Sequence, residues 1–486
     1  MRKVIALGSF VAFMLLSVSW VRPALPDDTA GKTESSSRPE SVTLPPDEQQ
    51  AGFVRLWSQT KCNFAFFDSV PEVDWDKVLV KYLPQFAAPR SRQEYYRLLE
   101  KCLAQLRDGH TYVELAAFDE SDRPAILVRP IEGRAIIVKV ADDKYLAKQG
   151  VTVGCEILNV DGRDVKDILD EDICPYISAS TPQMLAEQSY WRILDGPRDS
   201  EAAVVIRDTQ GQERAITLVR DGRNRPEVWQ GWHVFGSPGV GNAAAIIRES
   251  QAADAGGLPK THGESAFEYR ELDGGLAYVA LRSFTHDECP REFDKALDKV
   301  RSSKGLIIDV RGNGGGSSPN GFAVIRRLID KPLQNATWNS PQHIALLEAW
   351  GDPQKWFQKP MAALKPATDI APFLGPVVVL TDAVTISAAE DFLIPLHYAH
   401  RATLVGEKTA GSTGQPLVMD LPGGGVALVC TARNTYPDGR EFVGVGVIPD
   451  VEAHPTVEDV IAGRDAVLER GIEVMKNLSA SVESTQ

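Results

Sequence analysis

Two short apolar runs, residues 306–310 and 377–380, constrain this chain more than any other feature of it. The first carries one polar residue, Asp309, and the second (Val377-Val378-Val379-Leu380) carries none. A strand with one face in water alternates in polarity, so a strand without alternation needs cover on both faces. Each run leads through a turn into a helical pattern. Glycines 312, 314, 315 and 316 precede a helix over residues 319–329, and residues 381–386 precede one over 387–398. Strands at 276–281 and 402–405 and an amphipathic helix at 289–302 continue the alternation. Strands alternating with helices predict an α/β core with a mostly parallel sheet.

The rest of the chain reads as separate blocks. Its 486 residues suffice for about three domains. Residues 1–24 have the form of an export signal: Arg2 and Lys3 are followed by an apolar stretch over 4–18, with Ala24 as a cleavage point. With that signal removed, no membrane span is expected. Residues 25–50, rich in Pro, Ser, Asp and Glu, read as a disordered linker. Residues 51–118 show helical spacing, and Ser91 with Glu94 makes a capping box for the last helix before Asp108-Gly109-His110-Thr111. Residues 119–222 carry short strands, residues 223–265 read as a connector, 266–455 form the core, and 456–486 close the chain as a helix and tail. The 52 Lys and Arg against 66 Asp and Glu give a charge of −14, which disfavours nucleic acid as a partner. Six scattered cysteines fit buried apolar positions, with Cys62–Cys102 and Cys155–Cys174 as candidate disulfides. Neither they nor the eight histidines form a metal-ligand pattern, so no metal and no cofactor is expected.

Three places could carry chemistry. Ser387 opens a helix after a buried strand, where free backbone N–H groups and the positive helix end favour a developing oxyanion. The same residue equally suits a plain N-cap. The glycine loop after Asp309 fits an oxyanion hole or a simple tight turn. As a dinucleotide loop it has Gly312 and Gly314, but it lacks the third glycine and a second strand ending in an acid. His110 reads as a capping or surface histidine, or as a base.

The ordered set of these segments is more specific than any one of them. Asp108-Gly109-His110-Thr111 comes first. A block follows in which Gly150-Val151-Thr152-Val153-Gly154 and Ile157-Leu158-Asn159-Val160-Asp161-Gly162 resemble a PDZ domain. Then come Asp309-Val310-Arg311-Gly312-Asn313-Gly314-Gly315, Ser387-Ala388-Ala389-Glu390, Val405-Gly406-Glu407-Lys408-Thr409-Ala410-Gly411 and Gly444-Val445-Gly446-Val447-Ile448-Pro449-Asp450. This order resembles the C-terminal processing (tail-specific) proteases, and more closely their tricorn-core-like branch.

The resemblance implies an α/β multidomain serine peptidase with an N-terminal helical lobe, a PDZ-like β-rich domain and a crotonase-like ββα catalytic core. It implies Ser387 as nucleophile, His110 as base, and Gly314, Gly315 and Ala388 as oxyanion donors. In Ser–Lys relatives the base is a lysine at a position that here holds Ser412, while Lys408 lies one turn too early. The branch also places a Glu just before the last motif. Val443 stands there and Glu441 two residues earlier, so either a bulge brings Glu441 to orient His110, or another group orients it, or catalysis is weak. The expected substrates are peptides or proteins met in the periplasm or outside the cell, with the PDZ-like block either holding their C-termini or gating access to the site. The alternatives are a ligand carrier on the same scaffold, like the retinoid-binding proteins of the photoreceptor matrix, and an acyl-CoA enzyme of the crotonase type.

Overall fold

The structure, a computed structural model, describes residues 43–114, 121–141, 144–222 and 265–483. The export signal and most of the connector lie outside the described residues. At the centre is a six-stranded sheet in the order Phe267–Leu272, Leu276–Leu281, Gly305–Asp309, Val377–Thr381, Thr403–Gly406 and Val451–Glu452. The first pair is antiparallel and every later pair is parallel. The two apolar runs lie side by side in the middle, with every residue buried, as their lack of alternation demands.

The cover on the two faces differs. Helices Glu288–Arg301, Ser318–Ile325 and Ala388–Tyr398 pack on one face around Phe284, Phe293, Leu297 and Phe392. The closing helix Ala466–Glu483 packs on the other through Val467, Leu468 and Met475. Fully burying one such aliphatic side chain is worth about 1.5–3 kcal/mol. The C-terminal pattern, read as one helix, is two: Val457–Ala462 stops at Gly463, whose φ of 65° is left-handed, and Ala466–Glu483 begins after the turn.

A second sheet explains how distant segments meet. Its order is Pro416–Asp420, Val426–Cys430, Tyr112–Glu114, all antiparallel. Val113 pairs with Ala427, so the strand just after His110 is zipped to one downstream of residue 412. Helices Pro46–Asn63, Trp75–Tyr82 and Arg92–Leu103 bury Phe53, Leu56, Tyr95 and Leu99 against Ala427 and Val429 of this sheet. The first of these helices takes in residues 46–50, which the sequence reading gave to the linker. Proline at its N1 position and Asp47 and Glu48 in its first turn start it there. Ser91 and Glu94 form the expected capping box.

The inserted lobe is an antiparallel sheet, Glu213–Val219, Glu201–Arg207, Glu156–Val160, Arg134–Val140, Ile126–Ile131, with helix Pro182–Trp191 against its last strand. Its apolar core does not stop at the lobe boundary. Val384, Ile386 and Ala410 belong to the same cluster as Ile137, Met184 and Val204. Residues 331–371 contain the hairpin Thr337–Gln342 and Lys355–Pro360, which adds to Arg433–Thr435. All six cysteines are free, so neither candidate disulfide forms; Cys102 and Cys155 are wholly buried as small apolar side chains.

Candidate active site

Strand Val377–Thr381 ends at Asp382, whose carboxylate organises the turn beyond it. Its Oδ1 accepts the N–H groups of Val384 (3.1 Å) and Thr385 (2.9 Å), and both its oxygens lie 3.1 Å from Gly312 N. Ile386 N–H donates to the Asn313 carbonyl at 3.1 Å, so the Ser387 turn and the glycine loop are held together. At the top of the turn Ser387 has φ 62° and ψ −125°. Such a conformation costs a side-chain-bearing residue about 1–3 kcal/mol and thrusts its hydroxyl out of a strand-to-helix turn. A Cβ on Gly315 would lie 2.7 Å from Ser387 Cβ, so only glycine lets the loop come this close.

His110 reaches the same point from the helical lobe. Ala104–Leu106 ends at Arg107 in the left-handed region (φ 48°), which turns the chain back towards the core. Asp108 is buried and accepts from the Thr111 hydroxyl, and Gly109 N–H donates to Ser180 Oγ at 3.0 Å. Burial pushes the Asp108 carboxyl up to about 6. The His110 ring then lies with Nε2 3.1 Å from Ser387 Oγ and Nδ1 2.8 Å from Ser412 Oγ. Burial pushes its pKa down to about 4, which keeps the imidazole neutral and able to accept a proton at neutral pH.

Glu390, one turn into the helix behind Ser387, is wholly buried. Its Oε1 accepts from Thr409 Oγ1 and from Gly411 N (2.8 Å), and its Oε2 from Ser412 N (2.9 Å) and Ser387 N (3.2 Å). Burial pushes this carboxyl up to about 8 in spite of the four donors. It therefore braces loop 409–412 against the Ser387 turn and does not reach the imidazole through any of these contacts.

The structure brings Ser387 and His110 together and leaves Glu441 elsewhere. Glu441 is exposed and pairs with Arg433 (3.2 Å), with a backbone bridge to Thr435. The expected bulge is absent: Phe442 turns inward to the core beside Tyr436, and residues 443–445 form a turn, so Glu441 faces solvent. The group on Nδ1 is Ser412, whose partnership with His110 the sequence reading missed. Its one sequence signal was that it fills the lysine position of the Ser–Lys relatives. Lys408 is exposed. Among the three expected oxyanion donors, Gly315 N–H is already given to Asn313 Oδ1 (2.9 Å). Gly314 and Ala388 N–H have no acceptor among the described residues. No group of three or more His, Cys, Asp or Glu among the described residues is placed to hold a metal ion.

Known proteins resemble this chain in sequence and in fold. Residues 275–453 match Peptidase family S41. The chain is 26% identical over 428 residues to the chloroplastic C-terminal processing peptidase of Tetradesmus obliquus, covering 84% of this chain and 78% of that one. It is 24% identical over 426 residues to tricorn protease homolog 2 of Streptomyces coelicolor, where it spans 30% of the longer protein. In three dimensions it superposes on mature CPAF complexed with lactacystin with a TM-score of 0.68, at 17% identity, covering 89% of this chain and 98% of that one. That likeness speaks for the fold. The sequence match and the strand–turn–helix that carries Ser387 identify residues 275–453 as a domain of peptidase family S41, a family of serine-type hydrolases.

Proposed function

We propose that this chain is an exported serine endopeptidase that hydrolyses peptide bonds in protein or peptide substrates. Ser387 is the nucleophile and His110 the base, and the N–H groups of Gly314 and Ala388 hold the oxyanion. The observation that carries this reading is the 3.1 Å contact between His110 Nε2 and Ser387 Oγ, made by an imidazole that burial keeps neutral. Ser387 Oγ attacks the carbonyl carbon as its proton passes to Nε2. The proton then goes to the leaving amine, and water hydrolyses the acyl-enzyme.

The inserted lobe is read as PDZ-like and the core as crotonase-like. An edge strand with a helix beside it is the arrangement to which an extended peptide adds as one more strand, which suits selection of a C-terminus. Export rests on the N-terminal residues 1–24. Among the described residues no helix is long and apolar enough to cross a membrane.

The test is a fluorophosphonate probe together with peptide cleavage by the wild type and Ser387→Ala. The wild type should be modified at Ser387 and cleave peptides, and Ser387→Ala should do neither while melting within a few degrees of it. An unmodified wild type would point to the ligand carrier instead.

A further inference from the structure

Ser412 is wholly buried, and its hydroxyl stands on the side of the His110 ring away from Ser387. Backbone contacts fix it there before any substrate arrives. Its N–H donates to Glu390 Oε2 at 2.9 Å, and its carbonyl accepts the Ser387 N–H at 3.0 Å. The neighbouring Gly411 N–H donates to Glu390 Oε1 at 2.8 Å. The nucleophile's own backbone is therefore bonded to the residue that touches the far nitrogen of the base. A Cβ on Gly109 would lie 2.8 Å from Ser412 Oγ, so the glycine before His110 lets the two loops close on each other.

A neutral imidazole has one N–H and one lone pair. To take the proton of Ser387 the lone pair must sit on Nε2, so the N–H must sit on Nδ1 and needs an acceptor. A serine oxygen has two lone pairs with which to accept. We propose that Ser412 is a positioning residue for the hydrolysis proposed above, on which this inference rests: its Oγ accepts the Nδ1–H of His110 and so turns the Nε2 lone pair towards Ser387.

The atoms balance without a proton crossing to Ser412. In acylation the Ser387 Oγ–carbon bond forms, the Oγ proton moves to Nε2, and the imidazolium carries N–H on both nitrogens. The carbon–nitrogen bond then breaks as the Nε2 proton goes to the leaving amine. In deacylation a water oxygen bonds to the acyl carbon, its proton passes to Nε2, and that proton returns to Ser387 Oγ as the ester bond breaks. Throughout, Ser412 Oγ keeps accepting the Nδ1–H. Being uncharged, it supplies orientation but no counter-charge to the imidazolium.

The experiment compares full-length wild type, Ser412→Ala and Ser412→Thr by peptide cleavage, fluorophosphonate labelling rate, and NMR of ¹⁵N-histidine-labelled protein. Acid–base catalysis by a placed side chain is worth about 10²–10⁴ in rate, and loss of its orienting partner should forfeit about 10–100-fold of it. Ser412→Ala should therefore lower kcat by that factor with KM within about twofold, and should slow labelling of Ser387 equally. Ser412→Thr, which keeps the hydroxyl, should recover most of both. The wild-type His110 signal should show the proton on Nδ1, and Ser412→Ala should move it towards Nε2. Equal labelling rates for wild type and Ser412→Ala would overturn the inference and leave Ser387 standing as nucleophile. A wild type that does not label at all would bring down the hydrolase reading and this inference with it. If Ser412→Ala does not fold, the wild-type spectrum decides: a proton on Nε2 in the resting protein overturns the role.

Discussion

His110 and Glu390 lie within one hydrogen-bonded network and are moved by burial in opposite senses. The imidazole is pushed down to about 4 and the carboxyl up to about 8. An ordinary histidine titrates near 6.5, so at pH 5–6 most of such residues are charged, whereas this one stays a base. The acid limb of kcat/KM should accordingly fall near pH 4, as a pH–rate profile on a small peptide substrate would show; a midpoint near 6.5 contradicts it. The stability effect of this group has the same direction. The unfolded histidine binds its proton first as pH falls, so the contribution is present above about 6.5 and lost on descending towards 4. For Asp108, raised to about 6, and for Glu390 the sign is opposite, with stability lost as pH rises through their folded values. Gly315 makes a second test at this scale. With φ 91° and no room for a Cβ beside Ser387, Gly315→Ala should cut kcat by about 10²–10³, the usual consequence of spoiling an oxyanion hole, with a smaller effect on KM. Ser387 and His110 were legible because each stands in a local motif. Glu441 was misread because its placement assumed the parity of a strand where the chain makes a turn. Ser412 was hidden because its partner lies 302 positions away.

Elements read best where their cause is local. The capping box of Ser91 and Glu94 needs only four residues and was plain in the sequence. The break at Gly463 was not, since glycine inside a helix costs only about 1 kcal/mol and periodicity runs across it. Helix Pro182–Trp191 shows what a single element can contribute to a site it does not contain. Thr181 Oγ1 donates to the Ala410 carbonyl (2.8 Å), and Gln183 Nε2 donates to those of Thr409 (2.9 Å) and Val445 (3.0 Å). The helix is held to edge strand Ile126–Ile131 by Arg129 and Glu187, a bidentate pair at 3.0 and 2.6 Å with both side chains about 10% exposed. Removing Arg129 strips the buried Glu187 of its cation, and removing Glu187 leaves Arg129 only the Glu407 carboxylate 3.6 Å away. Arg129→Ala or Glu187→Ala should therefore each cost about 3–5 kcal/mol of stability in urea unfolding, while the double change to Met and Leu costs less.

At the scale of the molecule, the alternation of buried strands and helices gave the α/β core, because covering both faces of a parallel sheet leaves few other solutions. The docking of the inserted lobe was not legible, since it depends on a core that runs on through Val384, Ile386 and Ala410. A lobe that shares its apolar core with the turn leading to Ser387 should not melt alone. Limited proteolysis along a urea titration should release no stable fragment spanning residues 121–222, and circular dichroism and tryptophan fluorescence should report one coincident transition; separate midpoints would contradict this.

The pairing of Tyr112–Glu114 with Val426–Leu428 also dictates a timetable. While the chain is still on the ribosome, the imidazole is made early and waits without a strand to lie against. The Ser387 hydroxyl it touches is made about four-fifths of the way through translation, and the strand that aims it only at nearly nine-tenths. The unfinished polypeptide is thus chemically silent, and one that leaves the cell before folding takes its reactivity with it, still unassembled.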